Sequence, residues 1–178
     1  LTSAYGHGVS TTLLQLTRAY AAIVNGGVLL DPSILFNSKL NKKRVISKET
    51  SAIMNQMLRA NVDKKNKTSG SGRKADISGY DVLGKTGTAQ KPSKKEKGYS
   101  KEILNVFASA FPSKKPKYVL TVLIDEPKGA PQIWKHSRRE AGWNAVYIAG
   151  KIIQKIGPSL AINDLDLLNN YASHTKNN

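Results

Sequence analysis

The sequence contains no cysteine, few aromatic residues and far fewer acidic than basic side chains. Aromatic residues make up 7% of the chain, and 12 Asp and Glu stand against 28 Lys and Arg. Without cysteine, neither a disulfide nor a cysteine-ligated metal site can form. The three histidines, His7, His136 and His174, are far apart in sequence and lack the spacing of metal ligands. We therefore predict no metal site.

Long apolar stretches are also missing. No segment reaches the roughly 18 consecutive apolar residues of a membrane-spanning helix. The start, Leu1-Thr2-Ser3, lacks both the basic and the apolar part of a signal peptide. It also lacks an initiator Met, so we expect the chain to be a piece of a longer product. Its 178 residues, 39% of them hydrophobic, are enough for one domain with a core.

The excess of basic residues gives the chain a formal net charge of +16. Lysines cluster in short polar runs at residues 41–44, 64–67, 94–97 and 114–117. A strongly basic chain is a candidate for nucleic-acid binding. These runs, however, contain no interleaved aromatic side chains that could stack on bases. We interpret them as solvated surface and predict no nucleic-acid partner.

Helical periodicity dominates the first third of the chain. Thr12 is predicted to cap a helix that runs to about Asn25 and ends at Gly26-Gly27. A second helix is predicted after Ser47, and its two methionines are interpreted as core fillers on an apolar face. That face consists of Thr50, Ile53, Met54, Met57 and Leu58. The glycine-rich segment from Lys64 to Lys74 is predicted to be too hydrophilic to pack.

The pattern then changes to that of strands. Residues 81–90, 103–111 and 118–124 are β-compatible, and the last two are predicted to form a hairpin. Because residues 118–124 are apolar on both faces, both sides of the sheet are expected to be covered. A final helix is predicted from Trp143 to about Ile156, where Gly157-Pro158 stops it. This order of elements predicts an α+β fold with antiparallel pairing.

Residues 85–89, Lys-Thr-Gly-Thr-Ala, carry the functional argument, and two hypotheses overlap on them. Gly79 through Thr86 spells G-x-x-x-x-G-K-T, the phosphate-binding loop of a nucleotide hydrolase. That loop needs a buried strand before it and a helix that begins at the Lys-Thr. Residues 73–78 make a poor buried strand, and Gly87 and Pro92 interrupt any following helix. The nucleotide hydrolase is therefore the remote alternative.

The same residues fit a strand at the edge of a substrate cleft. Gly87 removes a side chain, so that a peptide could lie alongside the strand. Lys85 offers a positive charge, and Thr86 and Thr88 offer hydroxyls for a terminal carboxylate. The backbone amide of Thr88 could donate to a developing oxyanion. A Lys-Thr-Gly motif of this kind belongs to serine acyl-transferases that recognise penicillin.

Several segments together resemble the class B penicillin-binding proteins, in the family's order from about residue 4 to residue 158. They are Gly6-His7-Gly8, Thr12 to Gly27, Gly70 to Ala75, Gly84 to Gln90, Phe107 to Pro112, Tyr118 to Pro127 and Ala141 to Ala145. The pair Thr88-Ala89 favours the septal, FtsI-like subfamily. The resemblance implies an α+β fold, the C-terminal part of a penicillin-recognising serine transpeptidase, with an antiparallel sheet and helices on both faces. Residues 1–158 would belong to this domain, and residues 159–178 would be a C-terminal tail with a disordered end.

The resemblance also implies a function for the intact protein. It would be a peptidoglycan D,D-transpeptidase that cross-links stem peptides during cell division through a serine acyl-enzyme and is acylated by β-lactams. Lys85 and Thr88 would be catalytic, and Lys85, Thr86, Gly87 and Thr88 would bind the substrate; no metal or organic cofactor is implied. The implied partners are stem peptides ending in D-Ala-D-Ala, β-lactam antibiotics and divisome proteins. The location would be the periplasmic face of the bacterial inner membrane, with the anchor upstream of this chain.

The chain departs from the family pattern in what it does not contain. Penicillin-binding proteins combine S-x-x-K, S-D-N and K-T-G motifs, yet no Ser-x-Asn occurs in this sequence. A Ser-x-x-Lys runs from Ser71 to Lys74, where nearby glycines argue against a helix, and we interpret it as accidental. The nucleophile is thus expected upstream, or on a second chain, and these 178 residues alone are predicted to be inactive. A non-catalytic penicillin-binding-fold module for division-protein contacts remains the main alternative.

Overall fold

A three-stranded antiparallel sheet lies between two layers of helices. The computed structural model describes residues 9–35, 38–66, 70–93 and 97–175, with side chains through residue 164. The helices are α1 (Leu13–Val24), α2 (Lys48–Val62), α3 (Pro131–Trp134) and α4 (Ala145–Thr175). The strands are β1 (Val28–Leu30), β2 (Lys42–Arg44), β3 (Leu83–Pro92), β4 (Tyr99–Phe111) and β5 (Tyr118–Asp125). Short 3-10 turns lie at Arg73–Ala75 and Ala141–Trp143.

The main sheet has the order β3-β4-β5, and β1 pairs separately with β2. All of these pairings are antiparallel, and β4 and β5 form the predicted hairpin. In the register of β3 and β4, Lys85 lies opposite Ala108 and Thr88 opposite Asn105. The central strand β4 is buried over most of its second half. The predicted α+β architecture is confirmed.

Two apolar clusters hold the helices against opposite faces of the sheet. On one face, Phe107 and Phe111 of β4 pack with an apolar stripe of α4. That stripe includes Ala145, Val146, Ala149 and Ile153, all fully buried. On the other face, Leu83 and Ala108 pack against Tyr20, Val24 and Leu58 of α1 and α2. Because successive strand residues point to opposite faces, Val82 and Leu83 join different clusters.

The two first helices begin where the sequence predicts. Thr12 Oγ1 accepts from the Gln15 backbone N–H at 3.2 Å, and the Gln15 side chain accepts from the Thr12 N–H at 2.9 Å. This reciprocal cap satisfies two backbone donors at the helix start. Ser47 caps α2 by accepting from the Thr50 N–H at 3.0 Å. At the end of α1, Gly27 has φ +92°, and an added Cβ would lie 2.1 Å from the Ile46 carbonyl oxygen.

The buried face of α2 differs from the prediction. Met57 is 63% exposed and Ile53 is 52% exposed, so Met57 is not a core residue. The helix is instead rotated to present polar side chains to the end of α1. Ser51 Oγ donates to the Ile23 carbonyl at 2.5 Å, and Asn55 Nδ2 donates to the Val24 carbonyl at 3.1 Å. These bonds satisfy carbonyls that the end of a helix leaves unpaired, which explains the rotation.

The last helix does not stop at Gly157-Pro158, as predicted, but continues to Thr175. Proline removes one helical hydrogen bond, yet contacts on both sides hold the chain in place. Gly157 lies so close to the Tyr80 ring that an added Cβ would be 2.4 Å away. Beyond the proline, Asp164 pairs with Lys117 at 2.7 Å and accepts from the Tyr118 hydroxyl at 3.2 Å.

The predicted C-terminal tail from residue 159 therefore starts within a helix. Its end, expected to be frayed after residue 172, is helical through Thr175, and residues 176–178 lie outside the described residues. The domain boundary at residue 158 stays a prediction. Although α4 has 31 residues, neither it nor any other described helix is apolar enough to cross a membrane.

Candidate functional site

Residues 85–88 lie in the middle of β3, a strand with a neighbour on one side only in the described part of the sheet. Such an edge presents backbone N–H and C=O groups that can pair with an extended ligand. Side chains alternate along the strand, so Thr86 and Thr88 share one face while Lys85 lies on the other. Lys85, Gly87 and Thr88 are exposed, and Thr86 is half-buried.

This location excludes the phosphate-binding loop. Lys85 and Thr86 lie inside a strand of 10 residues, not at the start of a helix whose amides could face a phosphate. Val82 and Leu83, which would belong to the loop, are both 0% exposed. The nucleotide-hydrolase alternative is therefore wrong for this chain.

Lys85 is an exposed ammonium without an acidic partner. Its Nζ donates to the Thr86 carbonyl oxygen at 2.9 Å. Among the ion pairs of the described residues, none includes Lys85. An ammonium has three donors, so two of them remain for a ligand. A free ammonium suits a carboxylate, which accepts hydrogen bonds and carries negative charge.

The side chain of Thr88 is hydrogen-bonded to the turn before α4. Its Oγ1 accepts from the Ala141 backbone N–H at 3.2 Å. Because the oxygen already receives one proton, the hydroxyl's own proton points elsewhere and is available to a ligand. The assignment of the Thr88 amide to an oxyanion stays a prediction.

Asn105, opposite Thr88 on β4, holds that turn in place. Its side chain is fully buried, and its Nδ2 donates to the Arg139 carbonyl at 2.5 Å and to Asn144 Oδ1 at 3.0 Å. Sequence reasoning missed this residue. The available signal was the one amide side chain in a stretch, residues 103–111, whose other members are apolar except for Ser109.

The C-terminal end of α2 fixes the start of β3. Arg59 Nη1 donates to the Val82 carbonyl at 2.7 Å and to Asp76 Oδ1 at 2.8 Å. Burial alone would raise the pKa of the Asp76 carboxyl, but the Arg59 guanidinium and the Lys64 N–H outweigh it and lower that pKa. Asn61 Nδ2 donates to the Gly84 carbonyl at 2.8 Å. Sequence reasoning missed both Arg59 and Asn61 because these contacts span 17 to 23 positions.

From Gly70 onward the glycine-rich segment packs closely against α2, contrary to the prediction, while its residues 67–69 lie outside the described residues. An added Cβ on Gly70 would lie 1.9 Å from the Asn61 carbonyl oxygen, and Ala75 is 0% exposed. The segment packs through its backbone, which only glycine allows at this distance. This packing places Ser71 Oγ 2.7 Å from Thr86 Oγ1.

The side chains of Ser71 and Lys74 have separate partners. Lys74 Nζ lies 3.7 Å from the centroid of the Trp143 ring, a cation–π contact. Burial, followed by the charge of Arg73, lowers the pKa of Lys74. Ser71 instead contacts Thr86, so these contacts favour the interpretation of Ser71-x-x-Lys74 as accidental.

Gly84 and Gly87 differ in what surrounds them. An added Cβ on Gly84 would lie 2.4 Å from Cζ of the buried Phe107 ring, so the packing of this chain requires glycine there. An added Cβ on Gly87 would meet nothing closer than 4.0 Å. Gly87 is exposed, so the open space beside it lies at the surface and not in the core. Such space is expected where the backbone of a ligand approaches a strand.

Metal ligation finds no support in the described residues, where no group of three His, Cys, Asp or Glu side chains could hold an ion. His136 is exposed. His7 and the side chain of His174 lie outside the described residues.

Comparison with known proteins identifies the family. Residues 1–154 match the family described as the penicillin binding protein transpeptidase domain. The chain belongs to this transpeptidase family. The matched residues include the whole of β3, with Lys85, Thr86, Gly87 and Thr88.

Individual relatives of this transpeptidase family agree with the assignment. The chain is 34% identical over 188 residues to the probable peptidoglycan D,D-transpeptidase FtsI of Caulobacter vibrioides, covering 98% of this chain and 30% of the relative. It is 34% identical over 174 residues to the stage V sporulation protein D of Bacillus subtilis, covering 90% and 25%. The chain thus spans less than a third of the length of either relative.

Solved structures of penicillin-binding proteins share the fold. Penicillin binding protein 3 of Mycobacterium tuberculosis, in complex with ampicillin, has a TM-score of 0.68 at 31% identity, covering 85% of this chain and 36% of that one. The transpeptidase domain of penicillin-binding protein 3 from Burkholderia pseudomallei has a TM-score of 0.65 at 28% identity, covering 87% and 45%. These similarities confirm the predicted fold class.

Proposed function

We propose that the intact protein is a peptidoglycan D,D-transpeptidase and that this chain supplies the strand that binds the carboxylate end of the substrate. One observation carries the proposal. The ammonium of Lys85, which has no acidic partner among the described residues, and the hydroxyls of Thr86 and Thr88 lie within four consecutive positions of an open strand edge in the transpeptidase fold, the ammonium on one face and the hydroxyls on the other. A stem peptide ending in D-Ala-D-Ala presents a carboxylate and an extended backbone, which match that arrangement.

In the proposed reaction, a serine supplied from outside this chain attacks the carbonyl carbon of the penultimate D-Ala. A C–O bond forms, the C–N bond to the terminal D-Ala breaks, and the serine proton passes to the departing amine. The amine of a neighbouring stem peptide then attacks the ester, and the serine oxygen regains a proton. Lys85 holds the carboxylate and assists proton transfer, while the Thr88 N–H donates to the oxyanion.

The cellular setting is part of the same proposal. The pair Thr88-Ala89 and the similarity to an FtsI favour a role in division, with divisome proteins as partners. The periplasmic face of the inner membrane is the place where such an enzyme meets peptidoglycan. An anchor upstream of this chain would hold it there.

Intact-mass spectrometry after penicillin treatment tests the proposal. The intact protein should gain the mass of one penicillin on a serine upstream of Leu1, whereas the 178-residue chain alone should gain none. An adduct on Ser71 would contradict the site assignment. A folded intact protein without any adduct would instead be a non-catalytic module of the same fold.

The two glycines of β3 give a matched pair of variants in the intact protein. Gly84→Ala should lower the free energy of unfolding by about 1–3 kcal/mol, because its methyl collides with Phe107. Gly87→Ala should change that energy by less than about 0.5 kcal/mol, yet slow penicillin acylation by about 10²-fold by displacing the ligand. Urea unfolding and acylation rates measure the two effects. If Gly87→Ala is acylated at the wild-type rate, the ligand does not pass along this face.

A further inference from the structure

A chain of hydrogen bonds connects α2, the glycine-rich segment and β3 behind the proposed carboxylate site. Asn61 Oδ1 accepts from the Ser71 backbone N–H at 3.1 Å and from Ser71 Oγ at 3.3 Å. Ser71 Oγ in turn lies 2.7 Å from Thr86 Oγ1, and either oxygen could be the donor of that bond. Asn61 is itself fixed, because its Nδ2 donates to the Gly84 carbonyl.

The number of hydroxyl protons limits which group donates and which accepts in this series of hydrogen bonds. Each hydroxyl has one proton to donate. If Ser71 donates to Asn61, Thr86 must donate to Ser71 and has no proton left for a ligand. If Ser71 donates to Thr86, the Thr86 proton is free. The second arrangement leaves Asn61 Oδ1 with its bond from the Ser71 N–H, so no acceptor is left without a partner.

A bound carboxylate selects between the two arrangements. It can only accept, and a hydrogen bond to a charged acceptor is roughly twice as strong as a neutral one. Thr86 would therefore donate to the carboxylate and accept from Ser71. Thr88 has the equivalent arrangement already, since its oxygen accepts from the Ala141 N–H. The hydroxyl of each threonine then accepts one hydrogen bond from the protein and donates one to the carboxylate.

We propose that Ser71, held by Asn61, is a positioning residue that directs the Thr86 hydroxyl toward the carboxylate of the substrate. Ser71 acts through Thr86 and need not touch the reacting atoms. The inference rests on the proposed function, because it assumes an anionic ligand at β3. It gives the glycine-rich segment a role beyond packing. The two residues that it adds to the site, Asn61 and Ser71, lie outside the Lys-Thr-Gly motif.

Acylation of the intact protein by penicillin and by penicillin methyl ester tests the inference. Ser71→Ala should slow acylation by the free acid about tenfold, the effect of one charged hydrogen bond. With the ester, whose carboxylate is masked, the same variant should lose less than about threefold. Ser71→Thr, which keeps the hydroxyl, should restore the rate with the free acid. An equal loss with both compounds would indicate a merely structural role and overturn the inference.

A second variant separates positioning from folding. In a Thr86→Val background the hydroxyl that Ser71 directs is gone, so Ser71→Ala should cause no further loss with the free acid. Additive losses would overturn the inference. If the wild-type protein is not acylated at all, the proposed function fails and the inference with it. If the wild-type protein is acylated and Ser71→Ala is equally fast, the inference alone fails.

Discussion

Lys85→Met in the intact protein is expected to slow penicillin acylation by about 10²–10³-fold, the loss typical of one electrostatic contact in an active site. The ammonium is exposed and contacts only the Thr86 carbonyl among the described hydrogen bonds, so its removal leaves the sheet unchanged. The measurement is the second-order rate constant of acylation, followed by mass. Thermal unfolding of the same variant should match the wild type.

Lys91→Met is the matched control for this prediction. Lys91 lies six positions further along the same strand, and its Nζ pairs with Asp125 at 2.6 Å and Glu126 at 2.5 Å. Hydrogen bonds that Lys91 Nζ donates to these two carboxylates raise the pKa of Lys91, so its charge is already compensated. The variant should keep the wild-type acylation rate. Equal rates for Lys85→Met and wild type would move the anion site away from β3.

Phe107→Ala is expected to lower the free energy of unfolding by about 3–5 kcal/mol, as large-to-small changes of buried aromatic residues do. Phe107 is 0% exposed, lies opposite Thr86 in the sheet and packs directly against Gly84. The cavity would open beneath the part of β3 that carries the site, so acylation should slow as well. Urea unfolding of the intact protein measures the energy.

Leu123→Ala provides the comparison on the neighbouring strand. Leu123 is 39% exposed and lies opposite Val106, one position from Phe107. Because part of its side chain already contacts water, its truncation should lower the free energy of unfolding by less than about 1.5 kcal/mol. Similar losses for the two variants would mean that Phe107 is not central to the core.

Features set by neighbouring residues were predictable from the sequence. The caps at Thr12 and Ser47, the hairpin of β4 and β5 and the strand around Lys85 follow local rules, and the structure contains them. The motif at residues 85–88 also indicated the candidate site, because its chemistry is concentrated in four consecutive positions.

Features set by distant contacts were not predictable in the same way. Met57 was predicted to be a core residue. Instead, Ser51 and Asn55 face α1, because their side chains donate hydrogen bonds to the carbonyls at its end. The sequence gives no measure of the Tyr80 and Lys117 contacts that keep α4 helical past Pro158. The glycine-rich segment packs through close contacts of its backbone with α2, and the hydropathy of side chains does not predict such contacts.

In the proposed transpeptidase, the buried amide of Asn105 bears on how acylation by β-lactams can change. It fixes the turn whose Ala141 N–H contacts Thr88, although Asn105 itself lies on the next strand. A substitution there is expected to displace the Thr88 hydroxyl without altering a single letter of the Lys-Thr-Gly-Thr motif. If the proposed function holds, a search for variants with altered acylation has to sequence position 105 as well as the motif.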